Sequence, residues 1–394
     1  MISHTCQSAS AGQPKADRLA AMPDIDLMAV VPDRWREYRE WRTPDSPLSE
    51  SEARYRVLTV KWPWTGPGSW YLHWYPGLKR LLETFRPDII DLWEEPWGLV
   101  SAQAVWLRNR LLPGARIVTQ TEQNIDKRLP VPFESFRRHT LRNASFAIGR
   151  SAEAIEVLRH KGYRGEAGVV PNGVDIQLFR PLDRGACRRK LGFEGFIVGY
   201  VGRLTPEKGL MDLIEALPHC AADVQVAMIG DGAFKRHLEV RAAELGVGGR
   251  LRWLPSVAPK DLPEVMNAID ALVLPSHTTA RWKEQFGRVL IEAMACGTPV
   301  IGSSSGAIPE VIGDAGLIFR ERSQSDLKAK IALLRGNPEA AIAMGESGRR
   351  RVIGWASWDR VAERMAGIYR QVASSDFADN RRSPHLAGLE YGRR

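Results

Sequence analysis

Two glutamates close the segment EQFGRVLIE at both ends, Glu284 and Glu292, with seven residues between them. The run that follows, AMACGTPVIGSSSGAIPEVIGDAG, is apolar and then rich in Gly, Ser and Pro, so a helix gives way to a strand and a loop. Glu292 sits among Leu290, Ile291, Ala293 and Met294. A carboxylate on such a helix is costly unless something pairs with it. A ribose diol offers two donors and would satisfy it; a buried Arg or backbone amides would do so too. Glu284 precedes the helix and can accept from hydroxyls, or can simply be exposed. The free amides at Gln285, Phe286 and Gly287, at the positive end of the helix dipole, suit a phosphate or a sugar hydroxyl.

A second loop offers cations. GYVGRLTPEKGL ends a strand at Gly202, whose missing side chain allows close backbone approach, and then supplies Arg203 and Lys208. Two cations there suit a diphosphate; a tight turn with two solvated basic residues is the plainer reading. IGDG at 229–232 is a weaker turn signal, in which Asp231 caps a helix beginning near Ala233. The cysteines Cys6, Cys187, Cys220 and Cys296 are scattered without metal-ligand spacing, which suggests neither zinc nor disulfides and fits a reducing cytoplasm. The one Asp-x-Asp, Asp24 to Asp26, opens a predicted strand and reads as structural.

Such loops need a scaffold that brings them together. Apolar β-rich runs at 24–31, 56–62, 88–94, 116–121, 145–151 and 167–172 alternate with helical patterns such as LKRLLETF and SAEAIEVLRH. The rhythm restarts with strands at 196–203, 224–232, 251–257, 270–276, 298–305 and 316–320. At 394 residues the chain exceeds the size at which single cores stop growing. We therefore expect an α/β protein with two doubly wound parallel-sheet domains facing across a cleft, 1–168 and 169–354. A helix at 355–373 follows, and a flexible basic tail at 374–394.

Taken in order, PNGVD at 171–175, GRLTPEKG at 202–209, IGDG at 229–232, the Glu284 and Glu292 pair, and ACGTPVIGSSSGAIPEVI at 295–312 resemble the family 4 glycosyltransferases of the GT-B fold. The resemblance covers the whole second domain. It implies transfer of a sugar from a nucleotide-sugar donor with retention of anomeric configuration, the donor being a co-substrate rather than a cofactor. Arg203 and Lys208 would hold the diphosphate, Glu292 the ribose and Glu284 the sugar hydroxyls, with Gly202, Phe286, Gly287 and Arg288 completing the donor side. The helix at 355–373 would cross back onto the first domain. Fixed cations and a helix N-terminus supply what a metal would otherwise provide for the leaving diphosphate, so no metal is expected.

The first domain departs from that pattern, because almost no strand precedes His4. This leaves the AGQPK loop at 11–15 an uncertain acceptor contact and turns attention to strand ends at EEPW, with Glu95, and at TEQN, with Glu122, Gln123 and Asn124. Nine of the thirteen tryptophans lie before residue 107, and this clustering points to a glycan or lipid-linked acceptor. The formal charge of +9 admits an anionic membrane surface as a peripheral contact. No segment is apolar enough to span a membrane, and no zinc-finger or RNA-binding signature argues for nucleic acid. A cytoplasmic enzyme, in contact with the inner face of the membrane, is the expectation. A nucleotide-sugar epimerase and a non-catalytic nucleotide-sugar-binding protein are the alternatives the same fold allows.

Overall fold

The computed structural model describes residues 1–8, 11–37, 40–43, 55–62 and 69–374. The strands are β1 (Ala29–Pro32), β2 (Trp35–Glu37), β3 (Glu40–Arg42), β4 (Tyr55–Leu58), β5 (Ile89–Leu92), β6 (Arg116–Thr121), β7 (Phe146–Gly149), β8 (Glu166–Val169), β9 (Phe196–Val201), β10 (Val224–Ile229), β11 (Leu251–Leu254), β12 (Ala271–Leu274), β13 (Val300–Ser303) and β14 (Leu317–Phe319). Around them pack α1 (Gln13–Ala20), α2 (Leu78–Phe85), α3 (Leu99–Leu111), α4 (Phe133–Asn143), α5 (Ala152–His160), α6 (Arg184–Leu191), α7 (Leu210–Ala216), α8 (Lys235–Glu244), α9 (Leu262–Ala268), α10 (Arg288–Ala295), α11 (Ile308–Ile312), α12 (Gln324–Gly336), α13 (Pro338–Trp355) and α14 (Trp358–Ala373).

The second half is a six-stranded parallel sheet in the order β11-β10-β9-β12-β13-β14. Numbered from β9, that is the 3-2-1-4-5-6 order of a doubly wound nucleotide-binding sheet. Its inner strands are buried on both faces, which is why VQVAMI and ALVL read as unbroken apolar runs rather than as alternation. The order reverses between β9 and β12, and ligands of such sheets bind in the crevice outside the carboxyl ends at that point. The loops after β9 and β12 are the ones that carry Arg203, Lys208 and Glu284.

The first half repeats the plan with an unusual centre. β5-β6-β7-β8 and β1-β4 are parallel ladders. Ile2 bridges both β1 at Val30 and β5 at Leu92, with Ile2 N–H donating to Asp91 O at 2.8 Å and Trp93 N–H to Ile2 O at 3.0 Å. Residues 1–3 thus fill the central slot that the sequence left nearly empty, and the order reverses there. His4 and the residues after β5 lie at this second reversal.

Two chain passes join the halves side by side. Val174 N–H donates to Ala356 O at 2.9 Å, and Trp358 N–H to Val174 O at 3.3 Å. A side chain on Gly173 would meet the Trp358 ring at 2.1 Å, which explains the glycine of PNGVD. The expected helix at 355–373 starts at Trp358, because Ser357 caps it and α13 ends at Trp355. From there α14 packs on α1 in the first half, with Tyr369 donating to Asp91 at 2.7 Å. An expected join at 168/169 would cut β8, whose Val169 still pairs with Gly149.

Other boundaries move for local reasons. The strand expected from 24 begins at Ala29, since Asp24 is turned outward to Arg370 at 2.6 Å. Asp231 does not cap α8; it accepts from its neighbour Gly232 at 2.7 Å, and α8 starts later, at Lys235. The tail at 375–394 and Trp64 lie outside the described residues.

Candidate active site

At the β9/β12 reversal the strand ends turn sharply. Gly202 has φ 148°, and Lys208 ends a single 3-10 turn closed by Gly209 at φ 66°. A side chain on Gly209 would strike Pro275 O at 1.9 Å, so only glycine lets this turn lie against the end of β12. His277 reinforces the contact: its N–H donates to Glu207 O at 2.8 Å, and its ring meets buried Asp212 of α7 at 2.6 Å. Arg203 lies exposed on the same loop.

The two glutamates have different surroundings. Glu284 Oε2 accepts from Lys208 Nζ at 2.7 Å and from Ser276 Oγ at 2.8 Å. Lys208 also lies 4.7 Å from the centre of the Trp282 ring. The cation and carboxylate that the resemblance assigned to separate parts of a donor therefore stand together in one cluster. Glu292, two turns along α10, makes no such cluster. Arg288 is its one charged neighbour among the described residues, at 3.9 Å and half exposed. Burial raises the Glu292 carboxyl above its ordinary value, with Arg288 opposing.

Helix α10 begins at Arg288, later than expected, because Gly287 adopts a left-handed φ of 82° as its N-cap. Phe286 turns its ring into the core, stacked 6.0 Å from Trp355, so only its backbone can serve a ligand.

In the first half, the reversal gathers His4 and Glu94. Glu94 Oε1 accepts from His4 N–H at 2.7 Å and lies 2.8 Å from His4 Nδ1, while the imidazole stacks on Trp35 at 4.2 Å. Burial works to raise the Glu94 carboxyl, but the His4 ring and backbone N–H overcome it and hold it below its ordinary value. Trp62 and His73 complete an aromatic group around Trp35. Spacing could not reveal this pair, whose members stand ninety positions apart.

Glu95 accepts from Thr121 Oγ1 at 2.6 Å and Glu122 N–H at 3.0 Å, and burial pushes its carboxyl up to about 7. Gln123 Oε1 accepts from Ile125 N–H at 3.0 Å, and Glu122 pairs with Arg150 at 3.4 Å. Asn124 reaches across to the other half, donating from Nδ2 to Glu284 O at 2.8 Å. Of the AGQPK loop, Lys15 is fully buried on α1 with its Nζ 3.0 Å from the centre of the Trp93 ring and without a hydrogen bond. Burial, and then the Arg150 charge, bring its ammonium down to about 7. Among the described residues no group of His, Cys, Asp or Glu is placed to hold a metal ion.

With this geometry in place, comparison with known proteins is informative. The chain matches the family models "Glycosyltransferase Family 4" over residues 32–178 and "Glycosyl transferases group 1" over residues 183–351. It is 34% identical over 213 residues to D-inositol 3-phosphate glycosyltransferase of Segniliparus rotundus, covering 51% of this chain and 46% of that one. A GDP-mannose-dependent monoacylated alpha-(1-6)-phosphatidylinositol monomannoside mannosyltransferase of Corynebacterium glutamicum is 32% identical over 210 residues, 50% of this chain and 55% of that one. The chain thus matches about half the length of these relatives. Over 94% of this chain and 98% of the other, the fold matches Anabaena HepE solved with UDP, at a TM-score of 0.73 and 21% identity. Two family models that between them take in both sheets, and a fold shared along nearly the whole length, place this chain among the family 4 glycosyltransferases of GT-B architecture.

Proposed function

We propose that the protein transfers a sugar, with retention of configuration and without a metal, from a nucleoside-diphosphate sugar to a hydroxyl of a glycan, lipid-linked or small-molecule acceptor. The observation that carries this reading is the cluster of Lys208, Glu284 and Ser276 at the reversal of a nucleotide-binding sheet, with the half-buried, weakly partnered Glu292 two turns along the same segment. A diphosphate entering beside Arg203 draws Lys208 to itself, which releases Glu284 for the hydroxyls of the transferring sugar. Glu292 takes the ribose diol. As the bond between the anomeric carbon and the diphosphate breaks and the new glycosidic bond forms, negative charge grows on the leaving group and the two cations stabilise it; such a group is typically worth about 10²–10³ in rate. In the same step the acceptor hydroxyl passes its proton to an oxygen of the departing diphosphate, where that charge grows.

On the acceptor side the reading places a sugar or polyol ring against the aromatic group around Trp35, with Glu94 and His4 at its edge. The names of the relatives direct the first trials towards inositol phosphates and phosphatidylinositol glycosides, and the donor trials towards UDP- and GDP-sugars. All four cysteines are free, which suits a reducing cytoplasm. Among the described residues no helix is long and apolar enough to cross a membrane.

Thermal shift against UDP, GDP and ADP and their common sugars tests the reading. A ligand at a hundred times its dissociation constant stabilises by about 2.7 kcal/mol. Stabilisation by one nucleotide class, followed by transfer to an added acceptor, is expected. An altered free sugar formed without acceptor would replace transfer by epimerisation. Binding without any turnover would leave a nucleotide-sugar-binding protein.

A further inference from the structure

Beyond the passes at Val174 and Ala356, three polar contacts among the described residues join the halves, and all three lie beside the segment of the donor carboxylate. Asn124 Nδ2 donates to Glu284 O at 2.8 Å. Lys283, the neighbour of Glu284, pairs with Glu153 on α5. Glu310 of α11 accepts from Ala152 N–H, at the start of α5, at 2.9 Å.

The Glu284 carbonyl is held from both sides. From its own half it accepts Ala307 N–H at 3.0 Å, in a pocket left open by Gly306, where a side chain would come within 2.1 Å of the same oxygen. From the other half it accepts the Asn124 amide. Only the NH₂ end of an Asn can face a carbonyl, so the orientation of this side chain is fixed by its partner.

The arm that carries Asn124 is stiff. Glu95 accepts from Thr121 Oγ1 and Glu122 N–H, Thr121 Oγ1 accepts Gln123 N–H at 3.1 Å, and Gln123 Oε1 accepts Ile125 N–H. Two of the groups that sequence reading gave to the acceptor, the Glu95 carboxylate and Gln123 Oε1, thus hold the loop that carries Asn124. Its Oδ1 is buried without a hydrogen bond, a cost that the Nδ2 contact with Glu284 O helps to offset.

We propose that Asn124 is a positioning residue for Glu284: the first half supplies a bond that fixes the backbone of the donor carboxylate, so Glu284 takes its working position only when the halves are closed. The proposal rests on the transfer reading above. Groups of the second half alone hold the nucleoside diphosphate, so its binding does not need Asn124. Turnover does, because a misplacement of about 1 Å can cost about 10²-fold in rate. The Lys283–Glu153 pair holds the same closed register, so disturbing it should act in the same direction.

The test uses Asn124→Ala, Asn124→Asp, Glu153→Lys, Lys283→Glu and the charge-swapped double variant. UDP or GDP affinity is measured by calorimetry, kcat and both KM values with the nucleotide sugar that the wild type turns over, and folding by melting temperature. Both Asn124 variants should bind nucleoside diphosphate within about threefold of wild type and lose about 10- to 10²-fold in kcat, with acceptor KM unchanged. Glu153→Lys should lower kcat, and adding Lys283→Glu should restore it; this arm stands even if an Asn124 variant fails to fold. Turnover of Asn124→Ala within about threefold of wild type would overturn the proposal. So would a loss confined to acceptor KM, which would make Asn124 a direct acceptor contact, or a parallel loss of nucleoside diphosphate binding. A wild type that neither binds nor turns over any nucleotide sugar removes the transfer reading and this one together, and is recognised by showing in the unmutated protein.

Discussion

Replacing Glu284 and Glu292 by Gln should produce opposite effects on the unliganded protein. Glu284 is one partner of an ion pair whose side chains are only 9% and 14% exposed, with Ser276 as a further donor. Glu284→Gln leaves Lys208 without its counter-charge, and removing one partner of a buried pair costs about 3 kcal/mol at the lower end of the usual range. Glu292 makes no comparable pair. Its carboxyl is raised by burial, so the folded state prefers the protonated form, and that stability is lost as pH rises through the raised value. Glu292→Gln removes the charge and should hold or raise the melting temperature at pH 7 and above. Donor binding reverses the ranking. If Glu292 holds the ribose diol, two charge-assisted bonds become neutral ones of roughly half the strength, a loss of about 1.5–3 kcal/mol, or about 10- to 10²-fold in dissociation constant. Calorimetric titration of nucleoside diphosphate and scanning calorimetry of both variants supply the readings. A Glu292→Gln protein that melts lower than wild type and binds nucleoside diphosphate equally well would refute the reasoning, because it would make Glu292 a structural carboxylate.

Lys208→Ala and Arg203→Ala should each depress kcat/KM by about 10²–10³ while retaining cooperative unfolding, and losses below about tenfold in both would remove their assignment to the diphosphate. Turnover should persist in excess chelator; abolition there, with rescue by a divalent ion, would show that a metal and not the cations carries the leaving group. Lys15→Met should raise the melting temperature at pH 7. The ammonium is brought down to about 7, so the folded state prefers it neutral and the wild type gains stability as pH rises from about 7 towards the ordinary lysine value. The difference between variant and wild type should therefore shrink by pH 9, and a variant that is less stable at both pH values would mean that the contact with Trp93 outweighs desolvation.

The parallel sheets were legible in the sequence because strands buried on both faces must be apolar at successive positions, as in β10 and β12. The centre of the first sheet was not. Ile2 is held by single bridges to two strands, and no periodicity can be read from one residue. The glycine-rich turns announced where loops approach closely, and Gly202, Gly209 and Gly287 all take positive φ. What the turns hold against each other was hidden. Lys208 and Glu284 lie seventy-six positions apart, Asp212 and His277 sixty-five, and nothing local says that they meet. For the TEQN loop the residue types were right for polar contacts. Thr121 and Gln123 each accept from one of the loop's own amides, while Glu122 pairs with Arg150 and Asn124 reaches Glu284 O, partners that lie far along the chain.

The side-by-side passes at Val174 and Ala356 give the chain a topology with its own history to tell. The nucleotide sheet is entered and left through one narrow gate, as an inserted module would be, while the first half is completed only by the returning α14. On the proposed assignment, a lineage that exchanged what lies between Val174 and Ala356 would change the donor and keep the acceptor side and its closing helix intact. It can equally rework the aromatic group around Trp35 without touching the module. The two specificities can drift independently as long as the seam of Asn124, Glu153, Lys283 and Glu310 is inherited with both partners matched.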